Sequence, residues 1–199
     1  MNWPAAILIV GALAQFFGGS LLYVLNTLKR KSKPNRMTFL IWAAGPFIGV
    51  AAATAAGVAW WILLPVFVSG LGPLAIFLAS FKNPSAYWKL GTIDYACGAL
   101  AVLALILWAI TTNPIIAIVF AITADGLASY PTILKCWKYP ETETGTTYFI
   151  ALCNVTLGLL VASHYDFLHI GFLVYLFLCD VVLVVAIYRR RILQVVGIR

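Results

Sequence analysis

The sequence predicts an all-α membrane protein with seven transmembrane helices. Of its 199 residues, 63% are hydrophobic and 10% are charged, and the mean hydropathy is +1.01. This composition excludes a water-soluble domain with a charged surface. Two further observations carry the prediction: the apolar residues form long runs, and the basic residues are confined to alternate connections between those runs.

The first half of the chain supplies three spans. A bilayer core of about 30 Å requires roughly 20 apolar residues per helix, and residues 3–28 form the first such run. No charged residue occurs over 37–81. Because this stretch is too long for one crossing, we expect the chain to turn back near 56–59 and to form spans two and three.

The second half divides at proline and at polar turns. Residues 95–124 are apolar except for the break at Thr111-Thr112-Asn113-Pro114. Proline disfavours helix in the preceding residue and is tolerated at the first helical position, so span four ends near residue 110 and span five begins at Pro114. Span five runs to about residue 137, and spans six and seven are predicted over 145–163 and 167–188.

The basic residues predict the orientation. All thirteen Lys and Arg residues fall at 29–36, at 82 and 89, at 135 and 138, or after residue 188. These positions lie on one side of the predicted spans, which the positive-inside rule assigns to the cytoplasm. We therefore expect the amino terminus outside and the carboxyl terminus in the cytoplasm.

The order of the spans predicts a parallel internal repeat. A shift of 110 residues places Ala14-Gln15 on Ala124-Asp125 and Thr38-Phe39 on Tyr148-Phe149. One extra span between two three-helix units gives both units the same orientation. The predicted architecture is three plus one plus three helices in a single membrane domain, 1–199. Its parts are a first repeat at 1–81, a linker helix at 90–112, a second repeat at 113–190 and a short basic cytoplasmic tail at 191–199.

Two segments resemble a known family. Tyr130-Pro131-Thr132-Ile133-Leu134-Lys135-Cys136-Trp137-Lys138 is similar to the Pro-Gln helix end and basic loop of PQ-loop proteins, with Thr132 in the place of the glutamine. Phe177-Leu178-Cys179-Asp180-Val181-Val182, followed by Tyr188-Arg189-Arg190, resembles the last helix of cystinosin-type PQ-loop transporters. The resemblance implies the SWEET/PQ-loop fold and transport of a small solute.

Polar side chains in the predicted spans mark a candidate solute site. Asp125, Asn154 and Asp180 lie near the middle of spans five, six and seven, and Gln15 is the corresponding polar residue of span one. A charged side chain at the bilayer centre costs about 2.5–3.5 kcal/mol on insertion scales, so such residues usually have a function. We expect Asp125, Asn154 and Asp180 to line a central pocket, whereas Gln15 is also explained as a structural residue.

The two acids have two interpretations. Every Lys and Arg is assigned to the cytoplasmic edge, so neither Asp125 nor Asp180 has a predicted cationic partner in the hydrocarbon layer. Dehydration favours the neutral form of an acid, and this gives a basis for proton binding coupled to access, with Asp180 as the favoured proton carrier. Alternatively, each polar group simply forms a hydrogen bond with a neighbouring helix.

Aromatic and proline residues add candidates for solute contact and gating. Trp42 lies deep in span two, whereas most of the other tryptophans fall at span ends, where aromatic belts are expected. Pro46 and Pro131 resemble the hinge prolines of SWEET-like proteins, and Tyr130 precedes the second of them. Proline removes a helix hydrogen bond, so both positions predict kinks.

The remaining charged and metal-binding residue types give weaker signals. Cys97, Cys136, Cys153 and Cys179 lack metal-ligand spacing, and we expect them to be reduced packing residues. His164, Asp166 and His169 in the outer turn are expected to be solvated. Glu141 and Glu143 are also expected to be solvated, with the alternative that they pair with basic residues and latch a cytoplasmic gate.

The predicted function is alternating-access transport of a small polar solute (sugar, amino acid or vitamin), with proton coupling as an option. The alternative is a seven-helix receptor or assembly protein that uses the same fold without transport. No arrangement of catalytic residues predicts an enzyme, and we expect no cofactor, metal or nucleic acid. An oligomer is compatible with the sequence, as are a bacterial inner membrane and a eukaryotic organelle or plasma membrane.

Overall fold

The computed structural model describes residues 3–55, 57, 60–82, 88–162 and 164–196, and all the regular elements in these residues are helical. The first helical run consists of α1 (Trp3–Ala14), a π-helical segment (Gln15–Ser20) and α2 (Leu21–Leu28). The other α-helices are α3 (Arg36–Ala55), α4 (Trp60–Lys82), α5 (Thr92–Ile110), α6 (Pro114–Lys138), α7 (Gly145–Leu160) and α8 (Phe167–Val196), and a 3₁₀ turn spans Pro140–Thr142.

The helices confirm the all-α membrane class. Within the described residues, five helical segments are long and apolar enough to cross a bilayer, and two further apolar helices are shorter, at Arg36–Ala51 and Gly145–Leu160. The long segments are Ala6–Leu28, Leu63–Lys82, Thr92–Ile110, Pro114–Lys138 and Phe167–Arg189. The chain is therefore a multi-pass membrane protein.

Two of the predicted boundaries are the turn at 56–59 and the end of the last helix. The expected turn at 56–59 falls largely on positions 56, 58 and 59, which lie outside the described residues, as do residues 1 and 2 at the amino terminus. The helix α8 continues to Val196, so most of the predicted tail at 191–199 belongs to the last helix. The reason is that no glycine or proline occurs between Gly171, near the start of this helix, and Gly197.

The helices pack in two groups joined by α5. In the first group α4 contacts both α3 and the first helical run, and in the second group α8 contacts both α6 and α7. Between the groups, α3 packs against α6 and the first run packs against α7. The helix α5 packs chiefly against α6 and also touches α3. Four segments therefore lie at the centre: the first run, α3, α6 and α7.

The main buried cluster lies toward the end of the bundle that carries Lys29, Lys33, Lys82, Lys138 and Arg189, here called the basic end. It joins helices of both groups through Tyr23, Phe39, Ile76, Cys136, Tyr148, Leu183 and Ala186. A second cluster lies between α3, α5 and α6 and consists of Ile41, Ala101, Ala104, Leu105, Ala124 and Ala128. Gly19 lies where the two groups approach each other, and a Cβ atom there would be in van der Waals contact with Thr147, 3.4 Å from its Cα.

Side-chain hydrogen bonds connect the helix ends at the basic end. Asn35 caps α3, because its Oδ1 accepts from the backbone N–H groups of Met37 at 3.1 Å and Thr38 at 3.3 Å. The same side chain donates through Nδ2 to Asp94 at the start of α5. Arg36 donates to the Ser80 hydroxyl at 2.9 Å and to the Ser80 carbonyl at 2.8 Å. These bonds tie the start of α3 to α4 and α5.

Candidate functional site

Asp125 is the centre of a hydrogen-bonded cluster between α6, α8 and α3. Its Oδ2 accepts from the Tyr175 hydroxyl at 2.8 Å and from the Ser129 hydroxyl at 3.2 Å. Ser129 lies one turn further along α6, and its own oxygen accepts from the Trp42 indole N–H at 3.3 Å. Trp42 and Asp125 are therefore brought together through Ser129.

Asn154 and Gln15 form a second polar contact, between α7 and the first helical run. The Asn154 Nδ2 donates to the Gln15 Oε1 at 2.7 Å. Gln15 begins the π-helical segment, and Gly11, one turn earlier, directly faces the Asn154 side chain. Single-turn π segments are frequent at functional sites. This contact crosses between the two helix groups.

Asp180 faces the interior of the bundle. Leu178 and Val182 are each two residues away, or about 200° around the helix, and they are 57% and 46% exposed. Asp180 therefore lies on the side of α8 opposite the exposed face, where it is only partly accessible. Among the described residues, no hydrogen bond involves its carboxyl group.

The predicted pocket residues make different contacts. Asp125 bonds to Ser129 and Tyr175, Asn154 bonds to Gln15, and Asp125 lies near enough to Asp180 to interact with it electrostatically. An open groove of about 200 Å³ lies on the surface between α6 and α8. Ser129 and Tyr175, which both donate to Asp125, belong to its wall, together with Gly126, Ile133, Leu178, Cys179 and Val182.

The predicted gating residues occupy different surfaces. Pro46 lies inside α3 and faces α4, since a Cβ atom at Gly70 would be 3.1 Å from the Pro46 Cβ. Pro131 is buried in α6, whereas its neighbour Tyr130 is 48% exposed. Thr132, in the place of the PQ-loop glutamine, is fully buried and donates to the Thr38 hydroxyl at 2.9 Å. The buried side of this motif therefore contacts α3.

A buried ion pair lies at the basic end, where the sequence favours solvated charges. Lys135 of α6 pairs with Glu143, and their side chains are 1% and 0% exposed. The Glu143 Oε2 accepts from the Tyr23 hydroxyl at 2.5 Å and from the Tyr148 hydroxyl at 3.0 Å. Lys135 also donates to the Lys33 carbonyl. We call these four side chains, Tyr23, Lys135, Glu143 and Tyr148, the basic-end seal.

This geometry corrects the expectation for Glu143, which is not a solvated loop residue. The alternative of pairing with a basic residue is the one realised, while Glu141 is exposed as expected. Burial of two charges carries a desolvation penalty of several kcal/mol per ion, so the pair is stable only with additional hydrogen bonds. The two tyrosine hydroxyls and the Lys33 carbonyl provide them.

The connections of the two helix groups meet at the seal. The Lys33 N–H donates to the Thr142 carbonyl at 2.9 Å. The hydroxyls of Ser32 and Thr144 lie 2.6 Å apart, and the Asn26 Nδ2 donates to the Thr144 hydroxyl at 3.1 Å. Aromatic rings close the space next to the seal. The centroid distances are 5.1 Å for Tyr23–Phe39, 6.5 Å for Tyr23–Tyr148, 5.4 Å for Phe39–Trp42 and 6.4 Å for Trp42–Tyr148.

Two threonines make equivalent bonds across the groups. The Thr38 hydroxyl, near the start of α3, donates to the Ala128 carbonyl of α6 at 2.7 Å. The Thr147 hydroxyl, near the start of α7, donates to the Gly19 carbonyl of the first run at 2.8 Å. Thr147 follows Thr38 by the same 109 residues that separate Ala128 from Gly19.

The outer turn is a solvated polar cluster. His169 Nδ1 lies 2.7 Å from the Asp166 Oδ2, and both side chains are 54% exposed. The hydrogen bond with His169 is the main reason that the pKa of Asp166 is lowered from its usual value. Within the described ranges, no group of three or more metal-ligating side chains is present, and the four cysteines are free.

Comparison of the chain with protein-family models, with curated proteins and with solved structures finds no match. The resemblance to PQ-loop proteins therefore rests on the two short segments at 130–138 and 177–182.

Proposed function

We propose that the protein carries a small polar solute across a membrane by alternating access between two three-helix units of a SWEET-like fold. The observation that carries the proposal is the basic-end seal, in which a buried ion pair joins the connections of both helix groups. A seal of this kind closes one end of a path between the groups. The positive-inside rule assigns that end to the cytoplasm.

A parallel repeat is supported by the packing and by the threonine bonds. In each group the third helix packs against the other two, and the first two helices face the other group. The hydroxyls of Thr38 and Thr147 make the same kind of bond to a backbone carbonyl, and the two threonines are as far apart in the chain as their partners Gly19 and Ala128. Two units of equal orientation that meet at one interface provide the symmetry used by transporters built from parallel repeats.

The chemistry of the seal suits a gate with two discrete states. In the closed state Lys135 and Glu143 are dry and fully paired, whereas opening would hydrate both charges. An intermediate state with one desolvated and unpaired charge would cost several kcal/mol. The hydroxyl of Tyr23 links this switch to the first helix group.

The polar residues at mid-depth are the proposed solute contacts. The bonds from Ser129 and Tyr175 both go to the Asp125 Oδ2, and no described residue forms a hydrogen bond with the Asp180 carboxyl group, which is therefore available to a solute or a proton. Trp42 is held beside Asp125 through Ser129. Gln15 and Asn154 provide a second polar contact at the same interface between the groups. Movement of the groups would change access to these residues.

Uptake into proteoliposomes tests the proposal. A panel of labelled sugars, amino acids and vitamins would be supplied with and without an imposed pH step. We expect saturable uptake of one solute class, and weaker solute binding in Asp125→Asn. Tyr165→Phe is a matched control, because Tyr165 is 69% exposed and lies outside the proposed path. A solute that binds the protein but never enters the vesicles would contradict transport.

That last outcome would favour the alternative, a receptor or assembly protein with the same fold. One observation points in this direction: several mid-depth polar groups already satisfy one another, as in the bond between Asn154 and Gln15. Such contacts stabilise helix association by about 0.6–2 kcal/mol without any solute. Asn154→Leu separates the two functions, since a transporter would lose uptake and a receptor would retain ligand binding at another surface.

A further inference from the structure

The connection between α2 and α3 presents a cluster of four cations. Lys29, Arg30, Lys31 and Lys33 are all exposed. None of them has an acidic partner among the residues that the structure describes. Lys135, in contrast, is buried against Glu143. The charges of this connection are therefore available to an external anion.

The backbone of this connection is held in a single conformation. The N–H groups of Lys29 and Lys31 donate to the carbonyls of Leu25 and Asn26 at 2.9 and 2.8 Å, and the Lys33 N–H donates to Thr142. Arg30 has a φ of 62°, in the left-handed region that non-glycine residues rarely adopt. A fixed loop holds mutually repelling charges close together, and a pre-organised site loses less entropy when it binds an anion.

An exposed apolar stripe leads directly to these cations. Leu21, Leu25 and Leu28 are 40%, 43% and 43% exposed. Their spacing of four and three residues places them on one face of α2. A lipid chain that lies along this stripe has its headgroup at the level of the cations, because the connection begins at the residue after Leu28.

We propose that residues 29–33 bind the headgroup of an anionic phospholipid whose acyl chain lies along the leucine stripe. Basic clusters next to a membrane-spanning helix attract anionic headgroups by about fivefold in affinity per basic residue. A zwitterionic headgroup has no net charge to gain from this attraction. The inference goes beyond the proposed function, because lipid binding does not depend on transport.

Native mass spectrometry of the detergent-purified chain tests the site by titration with phosphatidylglycerol and phosphatidylcholine. The variant K29Q/R30Q/K31Q removes three charges from the site. The control K82Q/K89Q/K138Q removes three exposed charges elsewhere at the basic end. We expect the first variant to lose about 100-fold in phosphatidylglycerol affinity. The control should lose clearly less, because none of its three lysines belongs to the connection that follows the leucine stripe.

Equal losses in the two variants would overturn the proposal, because the preference would then reflect net charge alone. Equal retention of the two lipids by the unchanged protein would also overturn it. If the first variant fails to fold, the unchanged protein still provides a test. Its preference for phosphatidylglycerol should fall steeply as salt rises from 0.1 to about 1 M, where the Debye length is about 3 Å, and a preference that is insensitive to salt would contradict the site.

Discussion

Tyr23→Phe is the most direct test of the basic-end seal. The substitution removes one hydroxyl from a buried cluster and keeps the ring that packs against Phe39 and Tyr148. The lost bond is 2.5 Å long and its acceptor is the charged Glu143. Hydrogen bonds to charged groups contribute about 1.5–3 kcal/mol. We therefore expect the ratio of open to closed seal to rise roughly 10- to 150-fold.

Cys136 is a natural reporter of this opening. It is fully buried and belongs to the same cluster as Tyr23 and Tyr148. With Cys97, Cys153 and Cys179 replaced by alanine, the rate of alkylation by N-ethylmaleimide measures how often Cys136 becomes accessible. When closure is faster than alkylation, this rate follows the open population. Tyr23→Phe should therefore raise the alkylation rate of Cys136 by the same factor by which it raises the ratio of open to closed seal.

Two measurements distinguish gate opening from general loosening. Tyr165→Phe removes a tyrosine hydroxyl in the turn before α8, where it donates to the Leu159 carbonyl. This bond is far from the seal in the fold, so the rate of Cys136 alkylation should not change. In thermal unfolding, Tyr23→Phe should lose no more free energy of unfolding than the about 1.5–3 kcal/mol that this hydrogen bond contributes. An alkylation rate within twofold of the unchanged protein would refute the role of Tyr23 in holding the seal. An equal rise in both tyrosine variants would refute it as well.

The remaining predictions concern the same elements. Glu143→Gln leaves Lys135 buried without its counter-charge and should cost about 3–5 kcal/mol in unfolding measurements, whereas the double variant Lys135→Met/Glu143→Gln should recover much of the loss; additive losses would contradict the pairing. Thr147→Val should destabilise by about 0.5–1.5 kcal/mol, and Thr38→Val should cost more, because the Thr38 hydroxyl also accepts from the buried Thr132 hydroxyl; a smaller loss in Thr38→Val than in Thr147→Val would contradict these contacts. If uptake is proton-coupled, Asp180→Asn should retain exchange between equal solute pools and lose stimulation by a pH gradient, while unchanged accumulation would leave Asp180 with a structural role.

The helices were largely predictable because their signals are local. A bilayer demands a minimum apolar length, and the breaks at Thr111-Thr112-Asn113-Pro114 and at the basic connections divide the chain accordingly. Pro114 begins α6 as expected, and the Asn113 side chain caps it. The bond between Asp125 and Ser129 was also within reach of the sequence, since residues four apart on a helix face each other.

The partners across the bundle were decided by tertiary structure. Tyr23 and Glu143 are 120 residues apart in the chain, and Gln15 and Asn154 are 139 residues apart. Whether two such side chains meet depends on the axial position and rotation of each helix, which are set by packing over the whole bundle. For this reason depth alone predicted a shared layer of polar residues, whereas only the packing decided that Asn154 bonds to Gln15 and that Asp125 bonds to Tyr175. Hydropathy and charge determined the class and the helices of this protein, whereas only the packing of the helices decided that Lys135 and Glu143 are buried together.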